Sequence, residues 1–276
     1  MEITGSVVVV TGAARGIGAA LAEQLADRGA AAVVLADIEP AVLGATAAEL
    51  GARFPRTRFS AVTCDVADPE AVTGLVVGAE REHGRIDVFV ANAGVGAGGG
   101  LDAADAVWAQ AWSVNVMAHV YAARAAVPGM LARGGGAFVT TASAAGMLTN
   151  LGNAPYSVTK HAALAFAEWL AITYGDQGLE VSCLCPMGVD TDLLRAGLGT
   201  LEGASVAAFG VLPVDVAAAS MVEQLQEGRF LVLTHPEAAE YERRRVADRE
   251  RWFAGMRRAQ AQVQAALDGA GQHLQP

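Results

Sequence analysis

The chain has 276 residues, of which 53% are hydrophobic and 17% charged, and its formal net charge is −10. This composition excludes a disordered chain, and the length suits one large domain. The acidic excess argues against a nucleic-acid partner, because phosphates would repel it. Polar residues interrupt every apolar run before the roughly 18 residues needed to cross a bilayer, so no membrane association is predicted.

The N-terminal sequence MEITGSVVVVTG lacks a basic segment and a small-residue cleavage site, which predicts no secretory signal and favours the cytoplasm. Cys64, Cys183 and Cys185 include no C-x-x-C pair, so core packing is favoured over a redox or zinc role. No metal site is predicted, because the histidines show no ligand spacing. The histidines are His83, His119, His161, His235 and His273.

Short runs rich in β-branched residues recur along the chain and predict strands. The runs cover residues 6–10, 32–36, 58–64, 86–91, 136–142, 179–185 and 229–234. Alanine-rich helical patterns separate them. Apolar strands that alternate with helices are typical of a parallel sheet covered on both faces. The sequence therefore predicts a doubly wound α/β domain over residues 1–235.

The first predicted strand is followed directly by TGAARGIG, residues 11–18, and then by a helical pattern. Glycines allow a tight turn and a close approach to a pyrophosphate, and a helix N-terminus offers free N–H groups. The second predicted strand ends at Asp37, nineteen residues past Gly18. A carboxylate there is placed to accept hydrogen bonds from an adenosine ribose, and the alternative is that it caps the next turn.

Asp37 also bears on the choice of cofactor. At ~4 Å and an effective dielectric near 20, like unit charges repel by about 4 kcal/mol, so this carboxylate disfavours the 2′-phosphate of NADP. NAD is the predicted cofactor. Arg15 lies within the glycine loop and offers a partner for that phosphate, so use of both cofactors stays open.

The segment APYSVTKHAALAFAEWL, residues 154–170, places Lys160 four residues after Tyr156 in a largely apolar helical pattern. At that spacing both side chains project from one helix face and their polar ends can meet. A helix that is apolar nearly all round is normally buried, so a lysine in it needs a reason. The alternative is that Lys160 extends to water while Tyr156 packs.

Near His235 the composition becomes heavily charged. Within residues 236–276 an apolar stripe with a spacing of three or four residues predicts a C-terminal helical extension. The stripe consists of Trp252, Met256, Ala259, Val263 and Leu267. We expect the extension to pack on the same domain or on a neighbouring subunit, and the alternative is a lid over an active site.

Over roughly residues 5–235 the sequence resembles the short-chain dehydrogenase/reductase family in its single-domain form. The motifs that carry the resemblance come in the family's order and are TGAARGIG (11–18), Asp37, CDV (64–66), NAG (92–94), Asn115, Ser143 and YSVTK (156–160). The resemblance implies a Rossmann fold with a seven-stranded parallel sheet and helices on both faces. It also implies an NAD(P)-dependent oxidoreductase.

The resemblance implies roles for individual residues as well. Ser143, Tyr156 and Lys160 are the expected catalytic group, and Asn115 is expected to hold a backbone carbonyl and a water in a proton relay. Asp65 and Val66 are expected beside the adenine. The full set of expected cofactor contacts is Gly12, Arg15, Gly16, Ile17, Gly18, Asp37, Asp65, Val66, Asn92, Ala93, Gly94, Tyr156, Lys160, Pro186, Val189 and Thr191.

Alcohol oxidation needs a base for the hydroxyl proton, and a tyrosine with a pKa near 10 is ionised to only about one part in a thousand at neutral pH. An ammonium at ~4 Å contributes about 4 kcal/mol at an effective dielectric near 20, which corresponds to roughly three pKa units. We therefore predict that Lys160 lowers the pKa of Tyr156. The remaining donors of Lys160 are expected to hold the nicotinamide ribose.

In this family the loop after the sixth strand usually begins with proline and glycine, whereas this chain reads PMGVDTDLL from residue 186. The expected substrate contacts are Met147, Leu148, Met187, Leu193, Leu194 and Leu198. These residues supply no obvious anion-binding group. The predicted substrate is therefore a hydrophobic secondary alcohol or its ketone, rather than a charged sugar acid or a phosphate ester.

The resemblance also implies a homodimer or homotetramer, and Trp108, Trp112 and Trp169 serve either that contact or the core. Two rival functions stay open. One is an NADP(H)-preferring ketone or acyl-thioester reductase that depends on Arg15. The other is a non-catalytic sensor or scaffold that binds a dinucleotide, since fold does not fix function.

Overall fold

The structure is a computed structural model that describes residues 1–272, with side chains through residue 269. His273 and the end of the predicted extension lie outside the described residues. Within that range, seven parallel strands form one sheet in the order β3-β2-β1-β4-β5-β6-β7. The strands are β1 (Val7–Thr11), β2 (Ala32–Asp37), β3 (Arg58–Thr63), β4 (Val88–Ala91), β5 (Gly136–Thr141), β6 (Leu179–Leu184) and β7 (Leu231–Val232). The predicted doubly wound α/β fold is confirmed.

Helices connect the strands and continue past the last one. They are α1 (Gly16–Asp27), α2 (Pro40–Arg53), α3 (Pro69–His83), α4 (Asp105–Trp112), α5 (Ala118–Ala132), α6 (Ala145–Leu148), α7 (Ala154–Tyr174), α8 (Asp192–Gly197), α9 (Leu201–Ala207), α10 (Val214–Gln226), α11 (Glu237–Ala247) and α12 (Arg249–Gln272). A π-helical turn at Ser113–Met117 joins α4 to α5, and a 3-10 turn at Gly175–Gln177 ends α7.

Local sequence signals fix where several helices begin and end. Pro40 and Pro69 occupy the first helical positions of α2 and α3, where a missing N–H costs nothing. Asp68 caps α3 by accepting the Glu70 N–H at 2.9 Å. Gly84 ends the same helix with φ of +81°, a conformation that suits glycine. These caps place the helices on the sheet without relying on packing alone.

The sheet separates two apolar layers. One layer packs α3, α5 and α7 against the sheet, and the other packs α1, α2 and α10. Phe89 and Phe138 lie on neighbouring strands in register, with their rings stacked at 5.7 Å between centroids. Because strands β1, β2 and β4 are almost wholly buried, they read as continuous apolar runs in the sequence.

The order of the strands reverses between β1 and β4, since β2 and β3 lie on one side of β1 and the later strands on the other. Ligands of open parallel sheets bind at such a reversal, above the carboxyl ends of the strands. The C-terminal helices lie at the same edge, because α11 packs on α6, and α12 packs on α9 and α11. This edge is where the predicted site residues are expected to meet.

Candidate functional site

The predicted glycine loop forms the connection from β1 to α1. Gly12 and Gly16 have φ angles of +65° and +58°, which residues with side chains rarely adopt. A Cβ on Gly18 would overlap the Gly12 carbonyl oxygen and lie 2.6 Å from Asn92 Nδ2. Among the described residues, no side chain caps the first turn of α1, so its N–H groups are open to an anion. The loop therefore fits a pyrophosphate.

We expect Gly18→Ala to destabilise the fold by about 1–3 kcal/mol and to weaken binding of the predicted cofactor, NAD, because the added methyl group forces the glycine loop apart. Urea unfolding and calorimetric titration with NAD measure the two effects. Gly44→Ala is the matched control, since a Cβ there meets nothing within 4 Å and alanine favours the helix. If the Gly18→Ala protein were as stable as the Gly44→Ala protein and kept its NAD affinity, the close approach of Gly18 to the Gly12 carbonyl oxygen would be contradicted.

The turn after β4 holds the glycine loop in place. Asn92 Nδ2 donates to the carbonyl oxygens of Thr11 at 3.0 Å and Gly12 at 3.4 Å. The backbone N–H groups of Asn92 and Ala93 both donate to Thr11 Oγ1, at 3.0 and 3.1 Å. The predicted residues of the two loops thus form one connected structure at the strand reversal.

Asp37 ends β2 beside that loop. Its Oδ2 accepts the Ala14 N–H at 3.0 Å, and its Oδ1 accepts the Glu39 N–H at 3.1 Å. The carboxylate therefore both orients the glycine loop and caps the following turn. Arg15 forms an ion pair with Glu39 at 2.5 Å and lies 3.9 Å from Asp192. The hydrogen bond and charge of Arg15 lower the pKa of Glu39. Arg15 is thus already paired with acidic groups.

The remaining predicted cofactor residues lie along the same edge. Asp65 and Val66 follow β3 directly, next to the end of β2, where the Cys64 N–H donates to the Asp37 carbonyl oxygen at 2.9 Å. Thr191 caps α8 by accepting the Leu194 N–H at 3.4 Å. A Cβ on Gly16 would lie 3.5 Å from Thr191 Cγ2, so the loop before α8 borders the glycine loop.

Ser143 and Tyr156 line one cavity. Ser143 lies two residues after the end of β5, and Tyr156 lies in the first turn of α7. Ser143 Oγ donates to the Pro186 carbonyl oxygen at 3.3 Å. Lys160 is buried beneath them, where its Nζ donates to the Thr141 carbonyl oxygen at 2.9 Å and lies 5.6 Å from the centroid of the Tyr156 ring. The structure brings the predicted catalytic side chains together.

Asn115 lies in the π-helical turn behind Lys160. Its Oδ1 accepts the Val95 N–H at 2.9 Å, and its Nδ2 donates to the Val95 carbonyl oxygen at 3.0 Å and to Thr159 Oγ1 at 3.2 Å. A Cβ on Gly94 would lie 3.3 Å from both Asn115 Oδ1 and Lys160 Nζ. Glycine therefore keeps the space between these two groups open, and Asn115 does hold a backbone carbonyl.

The electrostatics of Tyr156 differ from the prediction. Burial raises the pKa of Tyr156 to about 12, against a smaller lowering by the Ser143 hydrogen bond. Burial also lowers the pKa of Lys160 to about 8. The predicted lowering of the Tyr156 pKa by Lys160 is therefore wrong for the protein itself, because desolvation dominates and the ammonium group is turned to the Thr141 carbonyl.

The cavity above Tyr156 has a volume of about 950 Å³. Of the expected substrate contacts, Leu148, Met187, Leu193 and Leu194 line it, and so does the expected cofactor residue Ile17. Two expectations are wrong. Met147 is buried in the core, because the one-turn helix α6 turns it towards the sheet, and Leu198 is exposed outside the cavity at the end of α8.

The loop after β6 departs from the family pattern at Met187 and Gly188. Met187 lines the cavity and its N–H donates to Thr234 Oγ1 at 3.1 Å. Gly188 packs so closely that a Cβ would overlap the Gly210 carbonyl oxygen. Val189 is buried and pairs with Leu212 in a short parallel bridge. In this loop it is therefore position 188 that requires glycine.

The C-terminal helix forms the opposite wall of the cavity. Trp252, Met256, Ala259 and Val263 line it, whereas Leu267 of the same stripe does not. Tyr241 on α11 also lines the cavity, and its ring packs between those of Phe209 and Trp252. Sequence reasoning identified the stripe and left open whether it packs on the domain, on a neighbouring subunit or over the site. Its spacing shows which face of α12 is apolar and contains no signal for which surface that face covers.

Other predicted features have simple structural outcomes. All three cysteines are free and buried. Within the described part of the chain, no three His, Cys, Asp or Glu side chains come together as a set of metal ligands. Also within that part, no helix is both long enough and apolar enough to cross a membrane.

Comparison with known proteins gives concordant matches. The chain matches the profile of the family described as short chain dehydrogenase over residues 6–198. A 1-deoxy-11-beta-hydroxypentalenate dehydrogenase from Streptomyces exfoliatus is 39% identical over 246 residues, which is 86% of each chain. A short chain dehydrogenase/reductase from Burkholderia phymatum in complex with NAD is 31% identical, with a TM-score of 0.81 over 91% of this chain and 96% of that one. An L-sorbose reductase from Gluconobacter frateurii, complexed with NADPH and L-sorbose, is 31% identical with a TM-score of 0.67, over 88% and 90% of the two chains.

Proposed function

Because this chain belongs to the short-chain dehydrogenase family and is an oxidoreductase of that family, we propose that it interconverts a hydrophobic secondary alcohol and its ketone with NAD. The observation that carries the proposal is the placement of Tyr156. Tyr156 lines a large, mainly apolar cavity beside Ser143. Lys160 is buried behind Tyr156, at the edge of the sheet where the glycine loop also lies. The hydroxy compound named for the Streptomyces exfoliatus relative supports a hydroxyl-bearing substrate.

In the direction of oxidation, the carbinol C–H bond breaks with loss of a hydride while the hydroxyl proton moves to Tyr156 Oη. NAD, when bound, supplies the nicotinamide ring that accepts the hydride. Ser143 holds the substrate oxygen by exchanging its long bond to the Pro186 carbonyl for one to the substrate. Since the pKa of Tyr156 is raised, its hydroxyl is protonated near neutral pH and carries the proton that the reverse reaction needs.

The residues present fit NAD. The uncapped first turn of α1 offers N–H donors to the pyrophosphate, and Asp37 retains free lone pairs for the ribose hydroxyls. Lys160 uses one of its three donors on Thr141, which leaves two for the nicotinamide ribose. Asp65, Val66, Val189 and Thr191 complete the proposed contacts along the same edge.

We expect an Asp37→Ser/Glu39→Gln variant to raise the preference for NADP over NAD by at least about tenfold. The changes remove one carboxylate that repels the 2′-phosphate and another that occupies Arg15. The measurement is kcat/KM with each cofactor at a fixed alcohol concentration. Glu49→Gln on α2 is the control, because its partner Arg53 lies outside the glycine loop. Wild-type protein that already prefers NADP would instead favour the rival reductase, in keeping with the NADPH in the Gluconobacter frateurii structure.

The proposed function is tested by NADH formation from NAD with hydrophobic secondary alcohols such as 2-octanol, 1-phenylethanol and 2-decalinol. The matched control for 2-octanol is 2-methyl-2-octanol, which has a hydroxyl group of similar surroundings but no carbinol hydrogen to transfer. Turnover of the secondary alcohols alone supports the proposal. Tight NAD binding without turnover of any alcohol or ketone would favour the scaffold function.

We also propose that the protein is a homodimer or homotetramer. Trp112, Trp169 and Ile172 lie on α4 and α7 with exposed fractions of 46%, 53% and 85%. Exposed apolar side chains on two adjacent helices are typical of subunit contacts. Trp108, which is also on α4, is half-buried. Analytical ultracentrifugation measures the subunit number directly.

A further inference from the structure

Helix α12 presents two adjacent stripes to the cavity. The apolar stripe contains Trp252, Met256, Ala259 and Val263. The second stripe is displaced by one residue along the chain and contains Arg251, Gly255, Arg258 and Gln262, which also line the cavity. Both stripes advance by four, three and four residues, so each follows one face of the helix. The wall opposite Tyr156 is therefore partly cationic.

Arg251 and Arg258 are exposed residues that line the cavity on either side of Gly255. Arg258 Nη2 lies 3.9 Å from the position that a Cβ on Gly255 would take. The Arg258 guanidinium group thus lies beside a residue that lines the cavity, and the Arg258 side chain as a whole is exposed. Arg251 lies one turn before Gly255 on the same stripe. Two exposed arginines therefore lie on either side of Gly255 along this stripe of α12.

Neither arginine is neutralised by the acidic groups nearby. Over the described residues, no carboxylate lies within 4 Å of a guanidinium nitrogen of Arg251 or Arg258, whereas Arg244 at the same wall pairs with Glu240 at 2.8 Å. Asp248 Oδ1 accepts the backbone N–H of Arg251 at 2.9 Å and so caps α12. These two exposed arginines therefore place positive charge at the cavity wall.

Glu202 is the other acidic group that lines the cavity, and it lies towards Tyr156. Its carboxylate accepts from Asn150 Nδ2 at 3.4 Å, and burial raises its pKa. The cavity is therefore polar at two separate places, the catalytic end and the α12 wall. Between them lie leucine and methionine side chains from α6, α8 and the loop after β6.

We propose that the substrate is a hydrophobic hydroxy acid, whose carboxylate binds Arg251 and Arg258 while its secondary hydroxyl lies at Tyr156 and Ser143. This rests on the proposed function. Guanidinium groups bind carboxylates through charge-assisted hydrogen bonds, and the apolar middle of the cavity takes the hydrocarbon body. Asp248 lines the same wall and disfavours a dianion, so a carboxylate fits better than a phosphate.

The test uses (ω−1)-hydroxyalkanoic acids of eight to twelve carbons and their methyl esters, oxidised with NAD. For the chain length that spans the cavity, the acid should exceed its ester in kcat/KM by about tenfold, mainly through KM. An Arg251→Gln/Arg258→Gln variant should lose this preference while its activity on the ester is retained. Arg257→Gln is the matched control, because Arg257 is exposed on α12 as Arg251 and Arg258 are, but is not among the residues that line the cavity.

Equal activity on acid and ester, or a preference that survives the double substitution, would overturn the inference and leave the proposed function standing. If no alcohol of the series is oxidised, the proposed function fails, and the carboxylate site is then tested by binding alone. Calorimetry in the presence of NAD then compares dodecanoate with dodecanamide. A tenfold preference for dodecanoate that the double substitution removes supports the anion site, and equal affinities refute it.

Discussion

A Tyr156→Phe variant is expected to lose about a thousandfold in kcat for alcohol oxidation while it keeps its fold and its affinity for NAD. The substitution removes the one hydroxyl that takes the proton and retains the ring, and a positioned acid or base contributes about 10²–10⁴-fold. Stopped-flow or steady-state NADH formation, with calorimetric titration of NAD, measures both quantities. Wild-type oxidation should also rise with pH above neutrality, because the raised pKa of Tyr156 limits the ionised fraction.

The control for this experiment is Tyr241→Phe. Tyr241 lines the same cavity from α11, and its ring contacts with Phe209 and Trp252 survive the loss of the hydroxyl. We expect less than about a threefold change in kcat, since no catalytic proton passes through it. If both tyrosine variants lost activity equally, the loss would be caused by a change in the shape of the cavity and not by removal of a catalytic hydroxyl. If Tyr156→Phe retained its rate, another group would be the base.

The parts of the molecule that were predictable are those where local chemistry and tertiary placement agree. A buried parallel strand must be apolar on both faces, so the strand runs can be identified directly from the sequence. The glycine loop is recognisable because Gly18 tolerates no Cβ and because Asp37 follows at the end of the next strand. Each of these signals reflects a constraint that the backbone places on residue type, so it can be recognised in the sequence.

The parts that failed depend on orientations that spacing does not encode. Met147 and Leu148 are neighbours on one turn of α6, yet only Leu148 faces the cavity, because the rotation of so short a helix is set by packing. The stripe of α12 was visible, but its contact with α9 joins segments about fifty residues apart. The electrostatic error at Tyr156 has the same origin, since the degree of burial is a tertiary property.

Lys160 carries the second large prediction, and the chain offers an unusually direct way to test it. It is the sole lysine of the sequence, in which the other 18 of the 19 Lys and Arg residues are arginines. Its amine is buried, and burial lowers its pKa from 10.5 to about 8. That difference corresponds to about 3 kcal/mol of destabilisation at pH 7, offset by about 1 kcal/mol from the bond to the Thr141 carbonyl. Lys160→Met should therefore be inactive and about 2 kcal/mol more stable at pH 7.

The sign of the pH dependence follows from linkage. Between pH 8 and 10.5 the unfolded chain still binds the lysine proton that the folded chain has lost. The unfolding free energy of wild type must then rise with pH. The amount by which wild type is less stable than Lys160→Met therefore shrinks, by at most about 1.4 kcal/mol per pH unit. Below pH 8 this difference in stability should be constant. Urea unfolding of both proteins from pH 7 to 9.5 measures it.

Selective ¹⁵N labelling of lysine gives a single side-chain resonance, whose titration reports the folded-state pKa of Lys160 without reference to unfolding. A value near 8 together with a shrinking stability difference means that the fold holds a costly buried cation at the catalytic end of its cavity. A value near 10.5, or a stability difference that stays level to pH 9.5, would mean that water reaches the amine. The energetic case for Lys160 as a functional group would then be lost, since an exposed lysine costs the fold nothing.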